Sequence, residues 1–242
     1  MNKTLKLILF VTAISFFSQS CRKGGPFGIK GKGENVTEVK NLSGFDKIHL
    51  SIDADIYYTQ DSVYKVEISA QQNILAVLEV EVENNTLKFD YRRNVWDHKK
   101  VKITVHSPDM NELSISGSGD IIMQNTLTTN TLELSISGSG NVNLPSLNAK
   151  HLKATISGTG DIKISKGSLK SETINVSGSG NVDTEYIQTE SCIVRISGFG
   201  DVTVNVTESL EATISGSGDV RYKGKPTVKS SISGTGKLIH ID

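Results

Sequence analysis

Seven copies of one short motif carry residue types that bind phosphates and metals: two glycines, flanking hydroxyls and a following Asp or Asn. They are ISGSGDI at 115–121, ISGSGNV at 136–142, ISGTGDI at 156–162, VSGSGNV at 176–182, ISGFGDV at 196–202, ISGSGDV at 214–220 and ISGTGKL at 232–238. A nucleotide cradle needs a third glycine at a fixed offset and a helix after it, and neither is present. A calcium roll of the G-G-x-G-x-D type has a period about half as long, and a hard cation wants more carboxylates than this row supplies. The position after the second glycine reads Asp120, Asn141, Asp161, Asn181, Asp201, Asp219 and Lys237, which mostly sets a charge beside a neutral amide. No metal and no cofactor is expected.

The two cysteines invite a second chemistry. Lys3 and Lys6 precede an apolar run from Leu7 to Phe17, and small polar residues lead directly into Cys21. That layout predicts a signal peptide over 1–20, too short to span a membrane. Cys21 at the cleavage point resembles the lipidated cysteine of a bacterial lipoprotein, with Ser18 where such signals usually carry Leu; the alternative is a secreted protein with an incidental cysteine. No acidic pair follows Cys21, so no surface-export signal is read. Cys192 alternates with Val194 and Ile196 and has no base beside it, which predicts an inert core thiol.

Two further features offer binding chemistry. The segment DYRRNVWDHKK at 90–100 gathers Arg92, Arg93, Lys99 and Lys100 around Trp96 and His98, and reads as a hairpin tip. A tryptophan among cations suits a sugar ring or a partner protein, or else covers the end of the fold. Phe199 replaces the Ser or Thr of the other motif copies and is a second candidate anchor. Glycoside chemistry would need acids converging on one face, whereas Lys163, Glu185, Arg195 and Arg221 stand singly. The expectation is a protein without catalytic residues.

The elements that must position these groups are strands. The 242 residues include 22 glycines against 4 prolines, and no stretch shows a convincing helical period. Balanced charge, 26 basic against 26 acidic side chains, excludes nucleic acid as the expected partner. The motif copies are spaced 21, 20, 20, 20, 18 and 18 residues apart, the signature of an all-β solenoid with one coil of about 20 residues per repeat. Sets such as Leu132, Leu134, Ile136 and Leu152, Ala154, Ile156 share one parity and predict apolar core ladders, broken at Glu172 by a local shift of register.

Each coil must turn the same corner. Gly117, Gly119, Gly138, Gly140, Gly158, Gly160, Gly178, Gly180, Gly198, Gly200, Gly216, Gly218, Gly234 and Gly236 are therefore structural turn residues, needed for positive φ or for close approach of neighbouring coils. The serine before each first glycine, Ser116 to Ser233, predicts hydroxyls bonded along the axis, and the Asx row predicts Asx turns. Residues 21–33 read as a lipidated cysteine and flexible tether. Residues 34–112 read as an N-terminal β segment of degenerate coils, with IHLSIDADIYY at 48–58 imitating a motif coil and Asn84-Asn85 turning a hairpin; 113–242 are the repeat solenoid.

From NLSGFDKIHLSIDADIYYTQ through VKITVHSPDMNELSISGSGDI to the last ISGTGKL, the chain resembles the DUF2807 family of auto-transporter adhesin head GIN domains. The resemblance implies a right-handed parallel β-helix, pectin-lyase-like in shape but without catalytic residues, and a cell-envelope protein of Bacteroidota. The expected function is a non-catalytic envelope lipoprotein used for adhesion or binding, with a periplasmic lipid- or glycan-binding protein as the alternative and a polysaccharide-active β-helix enzyme as the second. The expected location is the outer membrane, facing the periplasm or the surface. The expected partners are the membrane through the lipid anchor and a surface glycan, lipid or protein, with homo-oligomerisation left open.

Overall fold

The computed structural model describes residues 28–242. The signal segment 1–20, Cys21 and the first part of the tether lie outside the described residues. The rest forms a β-solenoid, and its strands stack in parallel because each repeat offers its neighbour the same apolar parity.

One ladder leads into the corners. It runs from Thr86–Tyr91 to Lys47–Leu50 and Glu112–Ile115, then through the C-terminal parts of Leu127–Ile136, Leu147–Ile156, Gly167–Val176, Val182–Ile196 and Val202–Ile214, to Thr227–Ile232. A second ladder leaves the corners. It joins Val101–Ser107, Ala54–Gln60, Asp120–Met123, Val142–Leu144, Ile162–Ile164, the starts of the two long strands, Val220–Lys223 and Leu238–His240. A third stacks the N-terminal halves of Leu127–Ile136, Leu147–Ile156 and Gly167–Val176 on the middle of Val182–Ile196. Between them, Ile115, Ile136, Ile156, Val176, Ile196 and Ile214 meet in register, all at most 1% exposed. Each touches its counterpart about 4.8 Å away, so the core is a column of apolar contacts repeated once per coil.

The coil at 47–60 is in register with the first motif coil, Leu50 opposite Ile115 and Ile56 opposite Ile121. Stacking order then departs from chain order. The later coil, 86–107, lies on the outer side of 47–60, while 112–123 continues on the inner side. Antiparallel strands close the outer end: Asn35–Lys40 pairs with Lys65–Gln71, which pairs with Val101–Ser107, and Leu78–Glu83 pairs with Thr86–Tyr91. The last pair is joined at Asn84 and Asn85, whose φ values of 50° and 61° suit a primed hairpin turn. One helical turn, Gln72–Leu75, buries Ile74 and Leu75 against this cap. It is too short to leave a periodic signal in the sequence.

Glu172 causes no shift of register: it stands opposite Leu152 on one side and Cys192 on the other, only 1% exposed. Thr184 Oγ1 donates to its Oε2 at 3.2 Å, whereas Glu172 Oε1 and the buried Thr189 Oγ1 have no hydrogen-bond partner. Burial pushes the carboxyl up to about 7, with the hydrogen bond from Thr184 only partly opposing it. Cys192 is a buried free thiol, pushed up first by burial and then by Glu172. It sits in the core where the alternation with Val194 and Ile196 puts it.

Candidate functional site

The glycine corner is built by steric necessity. None of the fourteen motif glycines has positive φ; the positive values belong to Gly33, Gly44, Gly167 and Gly224. Close approach is the reason for them. A Cβ on Gly158 would lie 1.9 Å from Gly138 O, and one on Gly160 would lie 1.8 Å from Gly140 O. The same collision recurs from coil to coil down to Gly234 and Gly236, at 1.8 and 2.1 Å. Those carbonyls are engaged as well: Thr159 N donates to Gly138 O and Ser179 N to Gly158 O, both at 3.0 Å. The ladder thus continues unbroken around the bend.

The Asx row does a different job from an Asx turn. Each side chain accepts from the backbone of the next coil: Asn141 N to Asp120 Oδ1 at 2.8 Å, Asp161 N to Asn141 Oδ1 at 2.9 Å, Asn181 N to Asp161 Oδ1 at 2.7 Å and Asp201 N to Asn181 Oδ1 at 2.9 Å. The amides of Asn141 and Asn181 also donate to Asp120 and Asp161, both at 2.9 Å. An amide between two carboxylates is therefore a donor as well as a spacer. The serine row is weaker than the spacing predicts, with Ser177 Oγ reaching Ser157 Oγ only at 3.5 Å. Backbone and Asx groups, rather than hydroxyls, hold the corner.

Outward from this spine stands the row Ser118, Ser139, Thr159, Ser179, Phe199, Ser217 and Thr235, one side chain per coil. Phe199 is 73% exposed, and its backbone N–H donates to Gly178 O at 2.9 Å like its neighbours in the row. At the capping end the same corner is enlarged. Residues 92–100 link Thr86–Tyr91 to Val101–Ser107, where other coils need only the motif. The segment is not a hairpin tip, because those two strands do not pair with each other. Val95–Asp97 instead pairs in parallel with Ile29–Lys30 of the N-terminal arm.

The predicted cations are placed around that enlarged corner and do not converge on one ligand. Arg92 Nη2 donates to Ala76 O at 2.8 Å and its Nε faces Glu79 at 3.8 Å. Arg93 lines a small recess with Asn94, Tyr91 and Ser51. His98 packs edge-on against Tyr91, Lys99 pairs with Glu34, and Lys100 bridges Asp53 and Asp55 at 3.0 and 2.9 Å. Trp96 stays 63% exposed while its Nε1 donates to Gly28 O at 3.0 Å. Six coil steps, about 30 Å, separate this coil from Phe199 along the same edge of the rod.

Residues 28–33 of the expected flexible tether are held to the cap. Asn73 Nδ2 donates to Lys30 O at 2.8 Å, Lys32 N donates to Asn73 Oδ1 at 2.9 Å, and Gln71 Nε2 donates to Gly33 O at 2.9 Å. Neither Gln71 nor Asn73 is in a motif, so the sequence offers no signal for this clamp. A groove of about 560 Å³ between the cap hairpin and the first ladder was also missed; His49, Glu79, Glu81, Lys88, Asp90 and Glu112 are among its lining residues. Among the described residues, no group of three or more His, Cys, Asp or Glu is arranged to hold a metal ion. The single charges of the repeats are tied to coil neighbours: Lys163 to Asp183 at 3.2 Å, Glu185 to Lys223 at 2.8 Å, and Arg221 to Asp201 at 2.8 Å and Asp219 at 3.3 Å. Arg195 stands in an outward row between Asn175 and Thr213.

The chain is similar to several solved structures. A putative adhesin from Bacteroides fragilis is 33% identical, with a TM-score of 0.84 over 88% of this chain and 100% of that one. A putative lipid binding protein from Parabacteroides distasonis is 27% identical, with a TM-score of 0.74 over 88% and 99%. A putative adhesin from Parabacteroides distasonis is 25% identical, with a TM-score of 0.70 over the same shares. No curated protein matches the chain. A solenoid whose corners repeat one glycine-Asx design thus has close structural counterparts bearing adhesin names, and the family model for "Putative auto-transporter adhesin, head GIN domain" matches residues 44–226: the chain belongs to the DUF2807 family.

Proposed function

We propose that this chain is a non-catalytic, lipid-anchored envelope protein whose solenoid is a rigid adhesive or binding module, held at the outer membrane through Cys21. The observation that carries the reading is the corner row: one aromatic ring, Phe199, projects from a line of hydroxyls fixed to a spine that cannot yield. An exposed ring with Ser179 and Ser217 one coil to either side suits an extended polar ligand such as a glycan, which stacks on the ring and hydrogen-bonds to the flanking hydroxyls. The charges that an enzyme would use singly are tied in ion pairs, and the strongly shifted Glu172 and Cys192 are sealed in the core. The adhesin names of the family and of its solved relatives support the same class. The name of one relative raises lipid binding. In this chain the column between the ladders is filled by side chains almost wholly without exposure, so any lipid contact belongs on the outside.

The test is Phe199→Ser, which restores the residue that four of the other six coils carry at this position, the remaining two having Thr. Wild type and variant are compared on a glycan array and in cell attachment, after protease shaving of intact cells has shown which face of the membrane the protein occupies. Binding should fall several-fold at unchanged melting temperature. Equal binding by the variant would remove Phe199 and the corner row from the reading.

A further inference from the structure

We infer that the enlarged corner around Trp96 is a membrane-docking surface, which seats the capping end of the rod on anionic lipid headgroups. The inference rests on the anchoring role proposed for Cys21.

Three observations lead to it. The first residues of the N-terminal arm are fastened to this corner before the arm reaches Asn73 and Gln71 of the cap: Ile29 N donates to Asn94 O and Gly31 N to Asp97 O, both at 2.7 Å, while Trp96 Nε1 holds Gly28 O. The chain therefore arrives at the fold beside the Trp96 ring. Seven residue steps separate Cys21 from Gly28, a covalent reach of at most about 25 Å. An acyl group on Cys21 would keep this corner near the bilayer, whatever path the connecting residues take.

The second observation is the ring itself. Trp96 is the largest exposed side chain of the cap, with Lys30 Nζ 5.2 Å from its ring centre. Its one polar atom is satisfied by Gly28 O, so the apolar ring is free to enter an interface. Tryptophan with cations beside it is the side-chain combination that membrane–water interfaces favour.

The third is charge. Residues 28–35 and 92–100 carry six cationic side chains against two acidic ones, whereas the rest of the chain carries 20 against 24. Lys32 and Arg93 are exposed and, among the described residues, have no ion-pair partner. The other four cations are paired, Lys30 with Asp97, Arg92 with Glu79, Lys99 with Glu34 and Lys100 with Asp53 and Asp55, so Lys32 and Arg93 are the charges of this corner that an anionic leaflet attracts at short range.

Trp96 is the only tryptophan, so its fluorescence reports on this site alone. The acylated full chain is reconstituted into phosphatidylethanolamine vesicles with and without phosphatidylglycerol. With the anionic lipid present, the emission should shift to the blue, brominated acyl chains should quench it, and acrylamide quenching should fall several-fold. In parallel, the unacylated Cys21→Ala chain is titrated with the same vesicles. Its partitioning should be salt-sensitive and should weaken about five-fold for each of Lys32→Gln and Arg93→Gln, both surface changes that leave the fold intact. Trp96 that stays accessible to acrylamide on protein-bearing anionic vesicles overturns the docking surface while anchoring stands. A chain whose mass shows no acyl group overturns the anchoring role, and the titration then decides the docking surface independently.

Discussion

Replacing Glu172 with leucine should stabilise the protein at neutral and alkaline pH, although it removes a charged residue from the middle of the structure. Leu132, Leu152, Glu172, Cys192 and Leu210 form one inward ladder, and only the third member brings a carboxyl into it. In the folded state that carboxyl is held up at about 7, against a reference value of 4.5 for the exposed side chain, mainly because burial penalises its charge. The folded state therefore binds the proton more tightly than the unfolded one. Stability from the protonated side chain is fully present below pH 4.5 and is lost as pH rises through 7. A difference of 2.5 pH units, at 1.36 kcal/mol each, makes the loss about 3 kcal/mol by pH 8. Urea unfolding at pH 5, 6, 7 and 8 measures it. Wild type should weaken across that range, while Glu172→Leu and the near-isosteric Glu172→Gln should remove most of the slope. Thr184 keeps a partner in either variant, since its hydroxyl also reaches Thr203 O at 3.3 Å. A wild type whose stability does not fall between pH 5 and 8, or a Glu172→Leu protein less stable than wild type at pH 8, would refute the reasoning and make the carboxylate a structural partner.

Gly158→Ala should abolish folding or cost more than about 4 kcal/mol, because its methyl group would lie 1.9 Å from a backbone oxygen that cannot move without its whole coil. Gly33→Ala has open space around the new methyl and only its φ of +81° against it, so a small shift in melting temperature is expected there. Asn181→Asp would place four carboxylates, at 161, 181, 201 and 219, in successive coils, with Asp161 and Asp201 the direct neighbours of the new one. At about 4.8 Å in a water-like dielectric each neighbour contributes about 0.9 kcal/mol of repulsion, so a loss of about 2 kcal/mol is expected at pH 7, relieved by salt. The same substitution removes the amide donor to Asp161, and urea unfolding at low and high salt separates the two effects.

The repeat was legible because one contact set recurs every 18 to 21 residues, so parity and glycine position state the stacking many times over. The same redundancy made the Asx row visible, although its partners proved to be the backbone of the next coil rather than its own turn. What was not legible occurs once. Antiparallel pairing of Lys65 with His106, or the placing of coil 86–107 outside coil 47–60, joins residues far apart in sequence with no periodicity to announce them. The corner at 92–100 escaped for a related reason: it makes the turn without the paired glycines, and what holds it in place is the arm at 28–33, through Gln71 and Asn73. Its residue types stand out in the sequence, whereas its place in the stack depends on contacts that occur once.

That place matters for how the two candidate surfaces relate. Trp96 and Phe199 stand on one edge of the rod because both occupy the same bend of their coils, the first enlarged and the second a glycine motif. The spine between them is set by backbone contacts and cannot shorten: each coil adds about 4.8 Å, and the Cβ-free glycines admit no other spacing. A chain seated by Trp96 therefore carries Phe199 about 30 Å from its seat, with the remaining hydroxyls of the row at fixed intervals on either side. With the docking end and binding edge proposed above, such rigid separation is what a solenoid would contribute to adhesion.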